Sequence, residues 1–345
     1  MKTKFDLKQP QRIFVLGSGG FGTALAILLA SKGYHVTLWG RSVKLMRAIA
    51  KTRVNQVHLP GVKLPHMIAC TSDLRRVRDG YDLLLMAVPT QHVRGVLKKL
   101  APHFPPTLPV LSLAKGIEIK THLRPSQVIR AVLGARMPVG VLSGPSHAEE
   151  IACGVPTSVV IASHEEAFAK YLQQLFHTPA FRLYSNADIL GVELGGALKN
   201  IIAIAAGIND GMGLGDNAKS ALMTRGLAEM TRLGVAMGAG KHTFYGLAGV
   251  GDLITTCVSR YGRNRACGEA IGRGMTLKQY LASTRAVTEG VWTARAVRAL
   301  ARRYKVEMPI TLELNKILFQ GKDLKCALRD LMTRTHKGED EAMAG

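Results

Sequence analysis

RIFVLGSGGFGTALAILLASKG, residues Arg12–Gly33, decides the fold. An apolar run, Ile13–Leu16, ends in Gly17-Ser18-Gly19-Gly20-Phe21-Gly22. An apolar helical stretch, Thr23–Ala30, stops at Gly33, and a second strand-like run covers His35–Trp39. Strand, glycine turn, helix and strand, with G-x-G-x-x-G in the turn, predict a dinucleotide-binding unit. Gly17 permits the tight turn, Gly19 lets a pyrophosphate approach the backbone, and Gly22 lets the helix pack close to the sheet. The first N–H groups of the helix, and its dipole, favour the phosphates. Lys2, Lys4, Lys8 and Arg12 ahead of an uncharged run imitate a secretory leader. The glycines and the strand that follows at once read instead as mature structure.

The end of the second strand bears on the cofactor. In NAD-specific sites an acid stands about 20 residues beyond the glycines and binds the ribose hydroxyls. Here the chain reads Trp39-Gly40-Arg41-Ser42, without an acid. Arg41 suits a 2′-phosphate or the face of an adenine. The reading therefore predicts a preference for NADP(H) and leaves NAD(H) open.

At 345 residues and 47% hydrophobic content, the chain can hold two globular domains. No uninterrupted apolar segment reaches the roughly 18 residues of a membrane helix. The five cysteines (Cys70, Cys153, Cys257, Cys267 and Cys326) are scattered, and none stands in C-x-x-C spacing. This opposes a disulfide framework and a zinc site and fits a reducing cytoplasm; no metal is expected. A formal charge of +22 attracts anions such as phosphorylated substrates. The basic residues are spread along the chain and aromatics make up only 6%, so no stable nucleic-acid or membrane partner is expected.

Further strands are predicted at Asp82–Val88, Leu108–Leu113, Val139–Leu142, Thr157–Ala162 and Phe181–Ser185. Helices alternate with them at Ser42–Lys51, Gln91–Leu100, Pro125–Leu133 and Glu165–Phe176, and Thr52–Leu74 reads as an irregular excursion. This is the pattern of a doubly wound parallel sheet, whose ligands bind beyond the strand C-termini. Gly17–Gly22, Pro89-Thr90, Lys115 and Gly144–Ser146 are all predicted at such ends, so one crevice is expected to collect them. From about Asn186 the alternation ceases, and helices are predicted at Asp188–Ile208, Ala218–Met237, Leu247–Thr255, Arg263–Arg273, Val291–Tyr304, Pro309–Phe319 and Asp323–Arg334. The expected class is α/β: an N-terminal doubly wound Rossmann-type sheet (1–187) followed by an all-α C-terminal domain (188–335) and a polar tail (336–345). Pro309 is placed for the first helical position, Gly321 for a helix stop and Asp323 for an N-cap.

Within the helical half, Lys199 is the one lysine in a strongly apolar helix, with Gly195 and Gly196 on its face. The two glycines suggest room for a small substrate, and close helix packing is the rival explanation. A desolvated lysine has a lowered pKa and moves a proton near neutral pH. Asp252 follows a glycine turn and can meet such a lysine. Arg263 offers a planar fork for phosphate oxygens, Asn264 adds an amide donor, and a helix starting there adds free N–H groups.

Taken together, the chain from Arg12 to about Arg334 resembles the bacterial NAD(P)-dependent sn-glycerol-3-phosphate dehydrogenases. The matching motifs include GSGGFGTALA (17–26), AVP (87–89), AKG (114–116), SGPS (143–146), LGGALKNIIAI (194–204), TRGLAEM (224–230), GLAGVGDLI (246–254), RNRACG (263–268), VTEG (287–290) and EMPI (307–310). The resemblance implies that Lys199 is the catalytic proton acceptor, tuned by Asp252, while Lys115 polarises the substrate oxygen. It gives substrate contacts to Lys115, Gly144, Ser146, Lys199, Asp252, Gly262, Arg263 and Asn264. It gives cofactor contacts to Gly20, Phe21, Arg41, Lys115, Ala148, Arg263, Val287 and Glu289, beside Gly17, Gly19 and Gly22. Two departures stand out: Gly262, where the family has Ser, and His147, where it tends to have an aromatic. The implied reaction is reversible hydride transfer between NAD(P)H and dihydroxyacetone phosphate, giving sn-glycerol 3-phosphate for phospholipid synthesis; a homodimer is left open. Two alternatives remain: a related two-domain NADP-dependent hydroxy-acid or keto-acid reductase, and a basic nucleic-acid-binding protein with a vestigial Rossmann site.

Overall fold

The computed structural model describes residues 11–284, 286–335, 338 and 339. Lys2, Lys4 and Lys8, and most of the expected tail, lie outside the described residues. The chain divides into two compact units, one of residues up to Ala114 with Pro125–Ile189, the other of Lys115–Arg124 with Leu190 onward.

The first unit is built on strands β1 (Arg12–Leu16), β2 (His35–Trp39), β5 (Ile68–Thr71), β6 (Leu83–Met86), β7 (Val110–Ser112), β8 (Val139–Ser143), β9 (Thr157–Ser163) and β10 (Phe181–Asn186), with a separate hairpin of β3 (Val54–Asn55) and β4 (Leu59–Lys63). The sheet order is β10-β9-β8-β7-β6-β1-β2-β5. All four residues of β6 are fully buried, as a strand covered on both faces requires. Helices α1 (Gly20–Ser31), α2 (Val43–Thr52), α3 (Thr90–Leu100), α4 (Pro125–Leu133), α5 (Ala148–Ala152) and α6 (Glu166–Phe176) complete the unit.

Two expectations need correction. The stretch Thr52–Leu74 is not irregular: it supplies the β3–β4 hairpin and the edge strand β5, which pairs parallel with β2. Only Ile68 of β5 is buried, so the edge strand lacks the apolar run that betrays an interior one. Nor is the sheet parallel throughout: β8 pairs antiparallel with β9, while the other neighbours run parallel. The β8–β9 connection contains only the five-residue α5, and α5 packs on α1.

The second unit is helical: α7 (Ile189–Met212), α8 (Asp216–Ala236), α9 (Asp252–Val258), α10 (Arg263–Gly272), α11 (Leu277–Ser283), α12 (Glu289–Arg303), α13 (Pro309–Gln320) and α14 (Leu324–Met332). Helix α7 is long and apolar enough to cross a membrane, but 89% of that window is buried inside the fold, so it serves as the core helix. A π-helical turn, Leu247–Gly251, precedes α9. Helix α11, absent from the sequence reading, opens with a capping box of Thr276 and Gln279. Pro309 does open α13, Gly321 closes it in the left-handed conformation, and the Asp323 carboxylate caps α14 by accepting from the Cys326 N–H.

Helices α7 and α10 approach to backbone contact. A Cβ on Gly207 would lie 2.0 Å from the Arg265 carbonyl oxygen, and one on Gly268 would lie 1.9 Å from that of Ile204. Gly211 and Gly272 repeat the contact one turn further on. This glycine seam fixes the start of α10, with Arg263 and Asn264, relative to Lys199 on α7. The segment Lys115–Arg124 joins the same unit: Ile117 enters its core, and Arg124 pairs with Glu193 of α7.

Candidate active site

The first unit holds the glycine turn. Gly17 has φ +132°, and a Cβ there would lie 2.6 Å from the Ala87 carbonyl oxygen, so only glycine fits. A Cβ on Gly22 would clash with the Gly17 oxygen at 2.3 Å, as close helix–strand packing requires. Around Gly19 the space is open, with nothing within 4 Å of a Cβ position. Gly19 is also the N-cap of α1 and makes no side-chain cap bond, and the first turn of α1 has no acid. An open, acid-free helix start fits a pyrophosphate. Phe21 packs against the core beneath the turn.

Asn55, which the sequence gave no reason to single out, pins this turn. Its fully buried amide donates to the Ser18 carbonyl and to Thr23 Oγ1, each at 2.9 Å. The His58 carbonyl faces Gly20, 2.7 Å from where a Cβ would stand, and Ala148 Cβ is 3.5 Å from the same point. Arg41 follows β2, is exposed, and has no side-chain partner among the described residues. The first turn of α2 beside it carries no acid, so a 2′-phosphate fits here. At the end of β8, Gly144 has φ +130°, and the Ser146 hydroxyl donates to its carbonyl at 2.8 Å. His147 is the N-cap of α5 without a side-chain cap bond.

The second unit holds a buried charge cluster. Lys199 Nζ donates to one oxygen of Asp252 and, at 2.6 Å, to Thr256 Oγ1. Lys115 Nζ donates to the other Asp252 oxygen at 2.9 Å. Lys199 and Asp252 are 5% and 1% exposed, so water screens little of this. Burial brings the Lys199 ammonium down to about 8; the adjacent Asp252 carboxylate opposes the drop and Lys115 adds to it. Burial pushes Asp252 upward, but the two ammonium groups outweigh it and hold the carboxyl below its ordinary range. Thr256 was missed from sequence; its only signal was its place one helical turn after Asp252.

Gly195 does not widen a substrate groove. A Cβ there would lie 2.4 Å from the Ala248 carbonyl oxygen, so it serves close packing against the Leu247–Gly251 turn. The Gly196 carbonyl accepts from Asn200 Nδ2 at 3.2 Å. Arg263 opens α10 with an exposed guanidinium that has no side-chain partner among the described residues. Gly262, the N-cap, offers no side-chain cap, which leaves first-turn N–H groups for an anion. A Cβ on Gly262 would stand 2.9 Å from the Thr256 carbonyl oxygen, so the departure from Ser goes with a tight local turn. Asn264, read as a phosphate donor, is 8% exposed; its Nδ2 donates to Asn200 Oδ1 and its Oδ1 accepts from the Gly290 N–H, both at 3.0 Å, which leaves its second amide hydrogen as a donor. Val287 and Glu289 lie on the turn into α12, where Thr288 is the N-cap.

A lysine titrating near 8, held by a carboxylate and a hydroxyl, can pass a proton to or from a bound oxygen at neutral pH. An arginine at a helix start can hold a dianion. Among the described residues no group of three or more His, Cys, Asp or Glu could hold a metal ion.

Residues 12–169 match the family model of the NAD-dependent glycerol-3-phosphate dehydrogenase N-terminus, and residues 188–329 match that of its C-terminus. A glycerol-3-phosphate dehydrogenase [NAD(P)+] of Geobacter sulfurreducens is 49% identical over 95% of this chain and 99% of its own. One from Moorella thermoacetica is 48% identical over 96% and 98%. The crystal structure of the Coxiella burnetii glycerol-3-phosphate dehydrogenase superposes with a TM-score of 0.91 at 38% identity, covering 94% of this chain and 99% of that one. A ketopantoate reductase of Ralstonia eutropha, at 15% identity and TM-score 0.60, shares the fold alone.

Proposed function

The chain belongs to the NAD-dependent glycerol-3-phosphate dehydrogenase family, and on that premise we propose how its residues divide the reaction. The protein is an oxidoreductase that interconverts dihydroxyacetone phosphate and sn-glycerol 3-phosphate with NAD(P)H. When bound, the nicotinamide supplies the hydride. Lys199 exchanges the proton with the substrate's C2 oxygen, and Asp252 and Thr256 hold its Nζ in place. Lys115 polarises the same oxygen. Arg263, the second amide hydrogen of Asn264 and the first-turn N–H groups of α10 hold the phosphate. The Gly17–Gly22 turn receives the pyrophosphate, and Val287 and Glu289 contact the cofactor. The product serves phospholipid synthesis, and NADPH is the preferred donor because Arg41 stands where an acid would select NADH.

The observation that carries this reading is the Lys199–Asp252–Lys115 cluster, a buried lysine tuned to titrate near 8. The test is oxidation of NADPH and NADH with dihydroxyacetone phosphate, its phosphate-free analogue and a keto acid, in wild type and Arg41→Asp. Turnover should require the phosphorylated ketone. The NADPH preference should fall about tenfold or more in the variant, as loss of a charge-assisted phosphate contact implies. An unchanged cofactor ratio removes Arg41 from the role, and turnover of the keto acid in preference to the phosphorylated ketone removes the substrate assignment.

A further inference from the structure

A short strap, Lys115–Arg124, is fastened along one face of α7. Glu193 and Asn200 stand seven residues apart on that helix, hence two turns apart on the same face. Each holds one end of the strap. The Arg124 guanidinium donates to the Glu193 carboxylate, and the Lys115 carbonyl accepts from Asn200 Nδ2 at 3.2 Å. Between these ends the strap closes on itself. The Glu118 N–H donates to the Leu123 carbonyl at 3.0 Å, and the His122 N–H donates to that of Glu118 at 2.9 Å. The Thr121 hydroxyl donates to the buried Glu118 carboxylate, and Ile117 is fully buried in the core of the unit. The strap is therefore held as one body, and fixing Arg124 helps to fix Lys115.

The Arg124 and Glu193 side chains are 15% and 2% exposed. A buried ion pair adds little stability over an apolar pair of similar volume, because both charges give up water. What it adds is a fixed, directional contact. We propose that Arg124 and Glu193 are positioning residues for the reaction, holding the strap so that the Lys115 ammonium meets Asp252 and the substrate oxygen together. Their effect passes through Lys115, whose Nζ donates to Asp252 at 2.9 Å. This rests on the reading of Lys115 as the group that polarises the C2 oxygen, so the experiment must separate the two.

Reduction of dihydroxyacetone phosphate is measured on the full chain with saturating NADPH, well below the melting temperature. The variants are Lys115→Met, Glu193→Gln, Lys115→Met/Glu193→Gln and Arg124→Met/Glu193→Met. Lys115→Met should lower kcat about a hundredfold, as removal of a donor aimed at developing charge does. Glu193→Gln should lower it about tenfold, as a small misplacement of a catalytic group does. The losses should not add: the combined variant should match Lys115→Met, because the pair acts through that lysine. Arg124→Met/Glu193→Met leaves no unpaired charge, so it should fold as stably as wild type and still lose turnover. It decides the matter if Glu193→Gln does not fold. The alkaline limb of kcat against pH is the second readout. Among the described residues, the titratable groups acting on Lys199 are Asp252 and Cys257 on α9 and Lys115 on the strap. Burial pushes the Cys257 thiol up to about 12, so it stays neutral. Lys115 helps to lower Lys199, so its displacement should let Lys199 keep its proton to higher pH. Lys199 gives up that proton in ketone reduction, so the limb should move to higher pH in both Lys115→Met and Glu193→Gln. Simple loss of stability moves no such limb. Additive losses, wild-type kcat in the Glu193 variants, or a limb that moves in Lys115→Met alone overturn the positioning role and leave the Lys115 reading standing. Wild-type turnover in Lys115→Met removes that reading and the positioning role with it.

Discussion

The two units differ in what they bury. Among the described residues, Glu118, Glu193, Lys199, Glu229, Asp252 and Glu313 are buried charged side chains, and all six belong to the second unit. The first buries only uncharged polar groups such as Thr23, Asn55 and Thr90. A sheet unit that offers backbone N–H groups at a glycine turn needs no buried charge to receive a phosphate. A helical unit that must hold a proton-transferring lysine near neutral pH needs burial, because desolvation is what lowers the pKa. On the proposed roles, the pyrophosphate falls to the backbone of the first unit and the proton transfer to a buried side chain of the second.

The largest effect that tests this division is Lys199→Ala. A positioned proton-transfer group contributes about 10²–10⁴-fold, so kcat should fall at least about a hundredfold. NADPH binding should remain within a few fold of wild type, because the pyrophosphate turn lies in the other unit. Near-normal turnover would break the comparison at its centre, and a lost cofactor affinity would show that the two tasks are not separate.

The same contrast explains what could be read from sequence. In the first unit the decisive signals are local. The Gly17–Gly22 turn, the strand before it and the helix after it lie within one short window, and β6 shows itself as an unbroken apolar run. Where the signal is weak, at the edge strand β5 with one buried residue, it went unseen. In the second unit the helices are legible by periodicity, and Lys199 by being the one lysine in an apolar helix. The partnerships are not, because they join residues far apart in sequence: Asn200 with Asn264 and Gly290, and Gly207 with Arg265. Gly207 and Gly211, like Gly268 and Gly272, repeat at four-residue spacing. That spacing signals a close helix contact without naming its partner.

Two glycine substitutions sharpen the comparison at an intermediate scale. Gly19 has φ −67° and open space around it, so Gly19→Ala should leave the melting temperature nearly unchanged. It should still cost about tenfold in NADPH affinity, because the methyl occupies the approach to the backbone. Gly207→Ala puts a Cβ 2.0 Å from the Arg265 carbonyl oxygen. Overpacking of that kind costs about 1–3 kcal/mol or more, and it moves the start of α10, so stability and turnover should fall together. Equal melting losses in the two variants would mean that glycine plays one role in both units.

The smallest effect concerns Glu229, a buried charge outside the Lys199 cluster. Its carboxylate, 1% exposed, accepts from the Ile310 N–H at 2.5 Å and from the Thr311 N–H and hydroxyl at 3.2 and 2.9 Å, capping α13 from α8. Burial pushes its pKa up to about 7, although the three hydrogen bonds and nearby Arg232 pull it back. An acid whose folded pKa exceeds its unfolded value of about 4.3 holds its proton more tightly when folded. Its contribution is therefore greatest below that value and is lost as pH rises through about 7. Wild type should melt progressively lower between pH 5 and 8.5 by an amount worth about 1–2 kcal/mol, and Glu229→Gln, which cannot ionise, should lose that part of the slope. Melting curves of both proteins across that range decide it. Parallel slopes would mean that the α13 N-terminus stabilises the carboxylate enough to cancel its desolvation, and that burial of charge in this unit carries a pH signature only around Lys199.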